Sequence, residues 1–197
     1  MSGNIKKTLV GLTGGIACGK SEALKIFGQL GWETISTDEI VRNLLSSDKG
    51  LISVLTQRWG EVVLEKEEIN KKRISQIIFS NEKERKWLEN LLHPKVRAIW
   101  KEKFELSEKD KVIVEIPLLF EKDLGNLFES TICVTCEEKK QFQRLKDRGL
   151  TKLQSSVRIK AQLPLLTKVR LADTVLLGES SVMFLRKQVE VFHSRYT

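Results

Sequence analysis

This sequence has few cysteines and no long apolar run. The chain of 197 residues contains three cysteines, an odd number that argues against a disulfide framework and favours a reducing compartment. Its most apolar stretch, 112–120, is interrupted by Glu115 and Pro117 and is far shorter than the ~20 residues that cross a bilayer. The first residues lack the apolar core of a signal peptide. We therefore expect a cytoplasmic location and no membrane partner.

Composition and charge indicate a globular chain with an anionic ligand. Hydrophobic residues make up 41% and charged residues 30%, outside the range of disordered chains. The net charge of +8 comes from 34 basic residues spread among 26 acidic ones. Such a field attracts nucleic acid and phosphorylated small molecules alike. No segment has the aromatic and basic pattern of an RNA-binding module, so we expect no nucleic-acid partner.

Two of the cysteines form a CxxC pair, Cys133 and Cys136. The surrounding segment has the composition of a buried strand. In a strand, positions three apart face opposite sides of the sheet, which disfavours a joint redox or metal role. We expect both residues to belong to the core.

Hydrophobic periodicity predicts an α/β domain. Five short apolar or β-branched segments predict buried parallel strands: 7–12, 32–36, 111–115, 130–135 and 174–177. Apolar spacing predicts helices over 22–30, 37–45, 137–146, 154–162 and 182–196. Between 49 and 105 the apolar residues recur at helical spacing, which predicts a helical insertion. The predicted fold is a P-loop NTPase-type parallel sheet of about five strands wrapped by helices, with its ligand at the carboxyl ends of the strands.

The segment 14–21, GGIACGKS, matches the phosphate-loop pattern GxxxxGK[ST] between a predicted strand and a predicted helix. Backbone N–H groups of such a loop and the positive end of the helix bind phosphate oxygens. Lys20 is predicted to reach the β- and γ-phosphates as a catalytic residue, and the Ser21 hydroxyl to ligate Mg²⁺. We expect ATP to contact these residues: Gly15, Ile16, Ala17, Cys18, Gly19, Lys20, Ser21 and Glu22.

Cys18 lies inside this loop, near the start of a helix. That position lowers the pKa of a thiol that faces outward and makes it reactive. A small side chain that fills the loop is the alternative that we favour.

Other classes of phosphate-loop protein fit less well. GTPases require a DxxG switch and an NKxD guanine motif, and the sequence contains neither. A translocating ATPase requires an apolar strand that ends in acidic residues, which 112–115 matches only loosely. Among the classes of phosphate-loop protein, a kinase that phosphorylates a small molecule therefore fits the sequence best.

Asp38 follows the second predicted strand and therefore lies at the same sheet edge as the phosphate loop. A carboxylate there could accept the proton of a hydroxyl acceptor or hold water on Mg²⁺. An acidic helix start, with Asp38 and Arg42 paired across one turn, explains the same residues. The segment alone leaves both interpretations open.

The whole pattern resembles the dephospho-CoA kinase family, which phosphorylates the ribose 3′-hydroxyl of dephospho-CoA in the last step of coenzyme A synthesis. The resemblance covers nearly all of the chain. It is carried by short motifs: GLTGGI at 11–16 with the phosphate loop, LG at 30–31, STDEIVR at 36–42, LLHP at 91–94, IPLLFE at 116–121, QRL at 143–145 with Arg148, QLP at 162–164 and AD at 172–173.

The resemblance implies roles and regions. Asp38 matches the catalytic base, Arg148 would contact the nucleotide, and His93-Pro94 matches a turn into a helix. The implied substrate-binding residues are Thr13, Asp38, Arg42, His93 and Leu118. The implied regions are a core (about 1–48, 106–137 and 165–197), a helical substrate-binding insertion (about 49–105) and a lid (about 138–164). The substrates would be Mg·ATP and dephospho-CoA, and the protein a monomer or weak homo-oligomer.

The sequence departs from the family pattern at Glu22, Ser36, Lys71 and Gly178, whereas Lys20, Ser21 and Asp38 are retained. Two alternatives therefore stay open. One is another nucleoside or nucleotide kinase, and the other is a non-catalytic, basic nucleotide-binding protein.

Overall fold

A computed structural model describes residues 7–66 and 68–197 and divides the chain into two compact units. The first unit combines the segment up to Ser36 with Phe104–Thr197, and the second is Thr37–Lys103. The helical insertion predicted from the sequence covers 49–105, whereas the second unit begins earlier, at Thr37. Among the described helices, none is both long and apolar enough to cross a membrane.

The first unit begins with strand β1, helix α1 and strand β2, and the second unit starts directly afterwards. In chain order the elements are β1 Thr8–Gly14, α1 Lys20–Gln29, β2 Glu33–Ser36, α2 Thr37–Ser47, α3 Lys49–Trp59, β3 Leu64–Glu65, β4 Glu68–Ile69, α4 Lys71–Ser80 and α5 Glu82–Leu106. They continue as β5 Lys111–Glu115, β6 Ser130–Thr135, α6 Glu138–Asp147, α7 Lys152–Lys160, α8 Leu165–Leu171, β7 Thr174–Leu177 and α9 Val182–His193.

Five parallel strands form the sheet of the first unit, in the order β2-β5-β1-β6-β7. The central strand, β1, pairs with β5 on one side and β6 on the other. Its side chains are fully buried at Val10 and Leu12, as expected for a strand that helices cover on both faces. The predicted five-stranded parallel sheet is confirmed.

An aromatic cluster packs α1 against α9. Trp32 is fully buried and lies edge-on to Phe27, with ring centroids 5.2 Å apart, and to Tyr196, at 5.5 Å. Its indole N–H donates to Nδ1 of His193 at 2.9 Å. Buried indole groups need such an acceptor, so the chain end after α9 is held on this side of the sheet.

The second unit has its own apolar core. Leu51, Leu55, Val63, Ile74 and Leu88 are among its buried residues. The apolar spacing in the sequence therefore predicted correctly that this region is helical. The region also contains an antiparallel hairpin of β3 and β4, which the helical prediction missed because each strand has only two residues.

Helix α5 continues through Pro94, so the predicted turn at His93-Pro94 is wrong. Proline removes one N–H and usually bends or ends a helix. Here the buried residues Leu88, Leu92, Val96 and Trp100 recur every four positions on both sides of Pro94. Burial of this continuous apolar stripe outweighs the lost hydrogen bond.

Helix α8, absent from the sequence prediction, carries a fully buried lysine. The Lys168 ammonium donates to Oε1 of Glu121 and to the carbonyl oxygen of Pro117, both at 2.7 Å. The same Glu121 oxygen accepts the N–H of Leu163 at 2.9 Å. Burial lowers the pKa of Lys168, and the Glu121 carboxylate opposes that shift. This ion pair joins α8 to the loop after β5.

Removal of one partner should therefore destabilise the fold. Lys168→Met leaves the Glu121 carboxylate buried without its cation, which we expect to lower the free energy of unfolding by about 3–5 kcal/mol. Urea titration followed by circular dichroism measures the change. The exposed Lys160→Met should change stability by less than about 0.5 kcal/mol.

The double variant Lys168→Met/Glu121→Leu removes both charges and should recover most of that loss. Equal stability of Lys168→Met and the wild type would contradict a structural role for the pair.

Candidate active site

The phosphate loop joins β1 to α1, as the sequence predicts. Gly19 caps α1 in the left-handed conformation, with φ of 108°, and offers no side-chain cap. The first N–H groups of α1 thus receive no hydrogen bond from a capping side chain, and such groups bind anions. Ala17 also has a positive φ, 60°, which is uncommon outside glycine and marks a tightly constrained turn.

Lys20 folds back over this loop. Its side chain is buried, and Nζ donates to the carbonyl oxygens of Gly15 at 3.0 Å and Gly14 at 3.3 Å. The ammonium group is therefore held against the loop that is expected to receive the phosphates. Ser21 is exposed in the first turn of α1, and Glu22 after it is half-buried.

Side chains of the predicted lid hold the loop from outside. Gln141 of α6 donates to the carbonyl oxygen of Ile16 at 2.9 Å, and the N–H of Ile16 donates to Oε1 of Gln162 at 3.2 Å. Arg144 donates to the carbonyl oxygens of Ala17, at 2.9 Å, and of Gly178, at 2.6 Å. Two carbonyl groups from separate segments are thus bridged by one guanidinium group.

Arg144, rather than Arg148, makes these contacts. Arg148 is the exposed residue that follows α6. Gln141 and Arg144 are three positions apart, and residues at that spacing share one face of a helix. This spacing is the sequence signal that could have identified the pair.

Cys18 is fully buried within the loop, the position expected of a side chain that fills it. The thiol of Cys136 donates to the Cys18 sulfur at 3.2 Å. This hydrogen bond lowers the pKa of Cys18, the charge of Lys20 does the same, and burial opposes both. Cys133 is also buried, and burial raises its pKa to about 11. Cys133 and Cys136 are core residues, as predicted.

The remaining predicted residues lie in both units. In the first unit, Thr13 is fully buried and donates to the carbonyl oxygen of Pro117 at 3.2 Å, and Leu118 is half-buried. In the second unit, Asp38 and Arg42 are exposed in the first half of α2, and His93 is half-buried within α5.

Ser36 and Glu115 end the neighbouring strands β2 and β5. The Ser36 hydroxyl donates to Oε2 of Glu115 at 3.2 Å. Glu115 is only 3% exposed, so a donor at position 36 compensates for part of the cost of its burial. This departure from the family pattern thus has a structural role.

Gly178 follows β7 and lies directly against the phosphate loop. A Cβ at this position would overlap the carbonyl oxygen of Cys18, a backbone atom that cannot rotate away. The N–H of Gly178 donates to the carbonyl oxygen of Thr135 at 2.8 Å, which holds Gly178 in place. Only glycine therefore allows this close approach.

Gly178→Ala should displace the phosphate loop and weaken ATP binding by about tenfold or more, because the Cys18 carbonyl has to move away from the new methyl group. Calorimetric titration with ATP measures the effect. Gly28→Ala is the control, since its Cβ would lie 3.4 Å from Thr34 in ordinary contact. Wild-type affinity in Gly178→Ala would contradict the packing argument.

Comparison with known proteins agrees with this geometry. The family model for dephospho-CoA kinase matches residues 8–183. The dephospho-CoA kinase of Legionella pneumophila (strain Philadelphia 1) is 36% identical over 189 residues, which cover 95% of this chain and 94% of that protein. The dephospho-CoA kinase of Trichormus variabilis is 36% identical over 186 residues, 93% of this chain and 95% of that one.

Two solved structures extend the comparison. TT1252 from Thermus thermophilus superposes with a TM-score of 0.81 at 26% identity, covering 97% of this chain and 98% of that one. The dephospho-CoA kinase from Campylobacter jejuni gives 0.69 at 28% identity, covering 96% and 97%. Because the family model spans most of the chain and relatives are 36% identical along it, the chain belongs to the dephospho-CoA kinase family of P-loop kinases.

Proposed function

We propose that this kinase transfers the γ-phosphoryl group of ATP to the ribose 3′-hydroxyl of dephospho-CoA, giving coenzyme A and ADP. The observation that carries the proposal is the phosphate loop of a dephospho-CoA kinase family member, with the Lys20 ammonium group held against it. Phosphoryl transfer depends mainly on positioning and on charge stabilisation, which this arrangement supplies.

The loop and the first turn of α1 bind the phosphates in this proposal. Backbone N–H groups between Gly15 and Glu22 contact the phosphate oxygens, apart from those of Ile16 and Cys18, which donate within the protein. Lys20 leaves its carbonyl partners for the β- and γ-phosphates. Arg144 and Gln141 keep the loop in shape from outside. Electrostatic stabilisation of this kind requires donors that are fixed before the reaction.

Mg²⁺ fits the residues present. Nucleotide-bound Mg²⁺ needs few protein ligands, and the Ser21 hydroxyl is exposed at the first turn of α1, where it could serve as one. Ser21 would hold the ion. When bound, Mg²⁺ would supply positive charge that neutralises the phosphates during transfer.

Asp38 is proposed as the general base. It stands two residues after the end of β2, and it is exposed and so open to a substrate hydroxyl. Thr13, Arg42, His93 and Leu118 are proposed to bind dephospho-CoA, together with the region 49–105.

Segment 138–164 is proposed as the lid, which closes to exclude water that would otherwise hydrolyse ATP. Arg148 is exposed and would reach the nucleotide on closure. We further propose that the enzyme works in the cytoplasm as a monomer or weak homo-oligomer. Its three free cysteines are compatible with a reducing compartment.

A coupled assay for ADP release tests the reaction. Release should require dephospho-CoA, with coenzyme A identified as the product, and should stay at background with adenosine, AMP or no acceptor. Bound ATP without dephospho-CoA-dependent release would mean that the acceptor is wrong. Faster release with adenosine or AMP would favour a nucleoside or nucleotide kinase.

Asp38→Asn should lower kcat by about 100-fold or more while ATP still binds, because the amide cannot accept the hydroxyl proton. Steady-state kinetics and ATP titration on the same preparation separate the two effects. Glu39→Gln removes a neighbouring first-turn charge and serves as the matched control. A near-wild-type rate in Asp38→Asn would remove Asp38 from its role as base.

A further inference from the structure

Two cysteine sulfurs meet at the back of the phosphate loop. Cys18 comes from the loop and Cys136 follows β6, and their Sγ atoms lie 3.2 Å apart. Both residues belong to the first compact unit and are free thiols. The family resemblance and the proposed reaction assign no role to this contact.

The surroundings of the two sulfurs differ. Cys136 donates its proton towards Cys18, and Lys20 adds a positive charge near Cys18. Both interactions lower the pKa of Cys18, whereas the same hydrogen bond and burial raise the pKa of Cys136. The thiolate is the nucleophile in thiol oxidation, so Cys18 is the sulfur that reacts first.

We propose that Cys18 and Cys136 form an intramolecular disulfide when the protein meets hydrogen peroxide, and that this bond disables the phosphate loop. The burial of the pair sets the class of oxidant. Cys18 is fully buried and Cys136 is 6% exposed, so the oxidant has to be small and reaches Cys18 only during local opening of the loop.

The reaction proceeds in two steps. The Cys18 thiolate attacks one peroxide oxygen, the O–O bond breaks, and the departing hydroxide takes up the thiol proton to form water. Cys18 is then a sulfenic acid. The Cys136 sulfur attacks the Cys18 sulfur, the S–O bond breaks, and the hydroxyl leaves with the Cys136 proton as a second water. Two electrons pass from the sulfurs to the peroxide.

The bond would displace the loop. A disulfide has an S–S length near 2.04 Å, so the sulfurs that now lie 3.2 Å apart must approach by about 1.2 Å. Gly178 packs against the Cys18 carbonyl and Arg144 holds that of Ala17 in the present position of the loop, so the approach of the sulfurs would disrupt these contacts. A displacement of about 1 Å in a site of this kind lowers activity by up to about 100-fold.

Peptide mapping under non-reducing conditions tests the proposal. The full chain is treated with hydrogen peroxide, remaining thiols are alkylated, and kinase activity is measured before and after dithiothreitol. The wild type should yield a Cys18–Cys136 crosslinked peptide that is lighter by two hydrogen atoms. Activity should fall at least about tenfold with the crosslinked fraction and return on reduction.

Cys133→Ser is the matched control, a buried cysteine three positions from Cys136, and should behave as the wild type. Cys136→Ser should form no crosslink and show no comparable reversible loss, and its melting temperature establishes that it is folded. Oxidised wild type without the crosslink overturns the proposal, as does a crosslink that leaves activity unchanged. An equal reversible loss in Cys136→Ser also overturns the role of the disulfide.

The effect on activity rests on the proposed function of the loop, whereas the peptide map does not require turnover. If dephospho-CoA is the wrong acceptor, the crosslink is still detected and its effect is measured by ATP titration. The two proposals therefore fail independently.

Discussion

The pairing of β1 between β5 and β6 is the constraint on which the site depends. Leu12 is in register with Glu115 on one side, and Gly14 with Val134 on the other. The side chains of these strands are packed on both faces, so a shift in register would break that packing. The point at which the chain leaves the sheet is therefore fixed before the phosphate loop begins.

The loop itself is held by side chains that satisfy its carbonyl groups. Lys20 binds those of Gly14 and Gly15, and Gln141 and Arg144 bind those of Ile16 and Ala17. Buried backbone carbonyls need such partners, and the backbone of the loop itself supplies one of them, the Cys18 N–H that donates to the Gly15 carbonyl. The polar groups around the loop thus stabilise its shape and leave N–H groups at the start of α1 for phosphate.

The local sequence pattern was sufficient to predict most strands and helices of the first unit. Strands 111–115, 130–135 and 174–177 coincide with β5, β6 and β7, because buried strands have a distinctive composition. Features set by distant partners could not be predicted. Lys168 looks like a surface lysine until the fold brings Glu121 to it, and Gly178 looks like a lost polar residue until the Cys18 carbonyl is seen beside it. The roles of Asp38 and Arg148 stay predictions.

The distribution of tryptophan has an optical consequence. Of the four tryptophans, only Trp32 lies in the first unit, and the other three lie between Thr37 and Lys103. Indole emission shifts to longer wavelength when water reaches the ring. Trp32 is sealed between α1 and the end of α9, with its N–H on His193. In a chain whose other tryptophans are replaced by phenylalanine, all tryptophan fluorescence would come from Trp32. The wavelength of its emission maximum would then report whether α1 and the end of α9 stay packed, independently of events in the second unit.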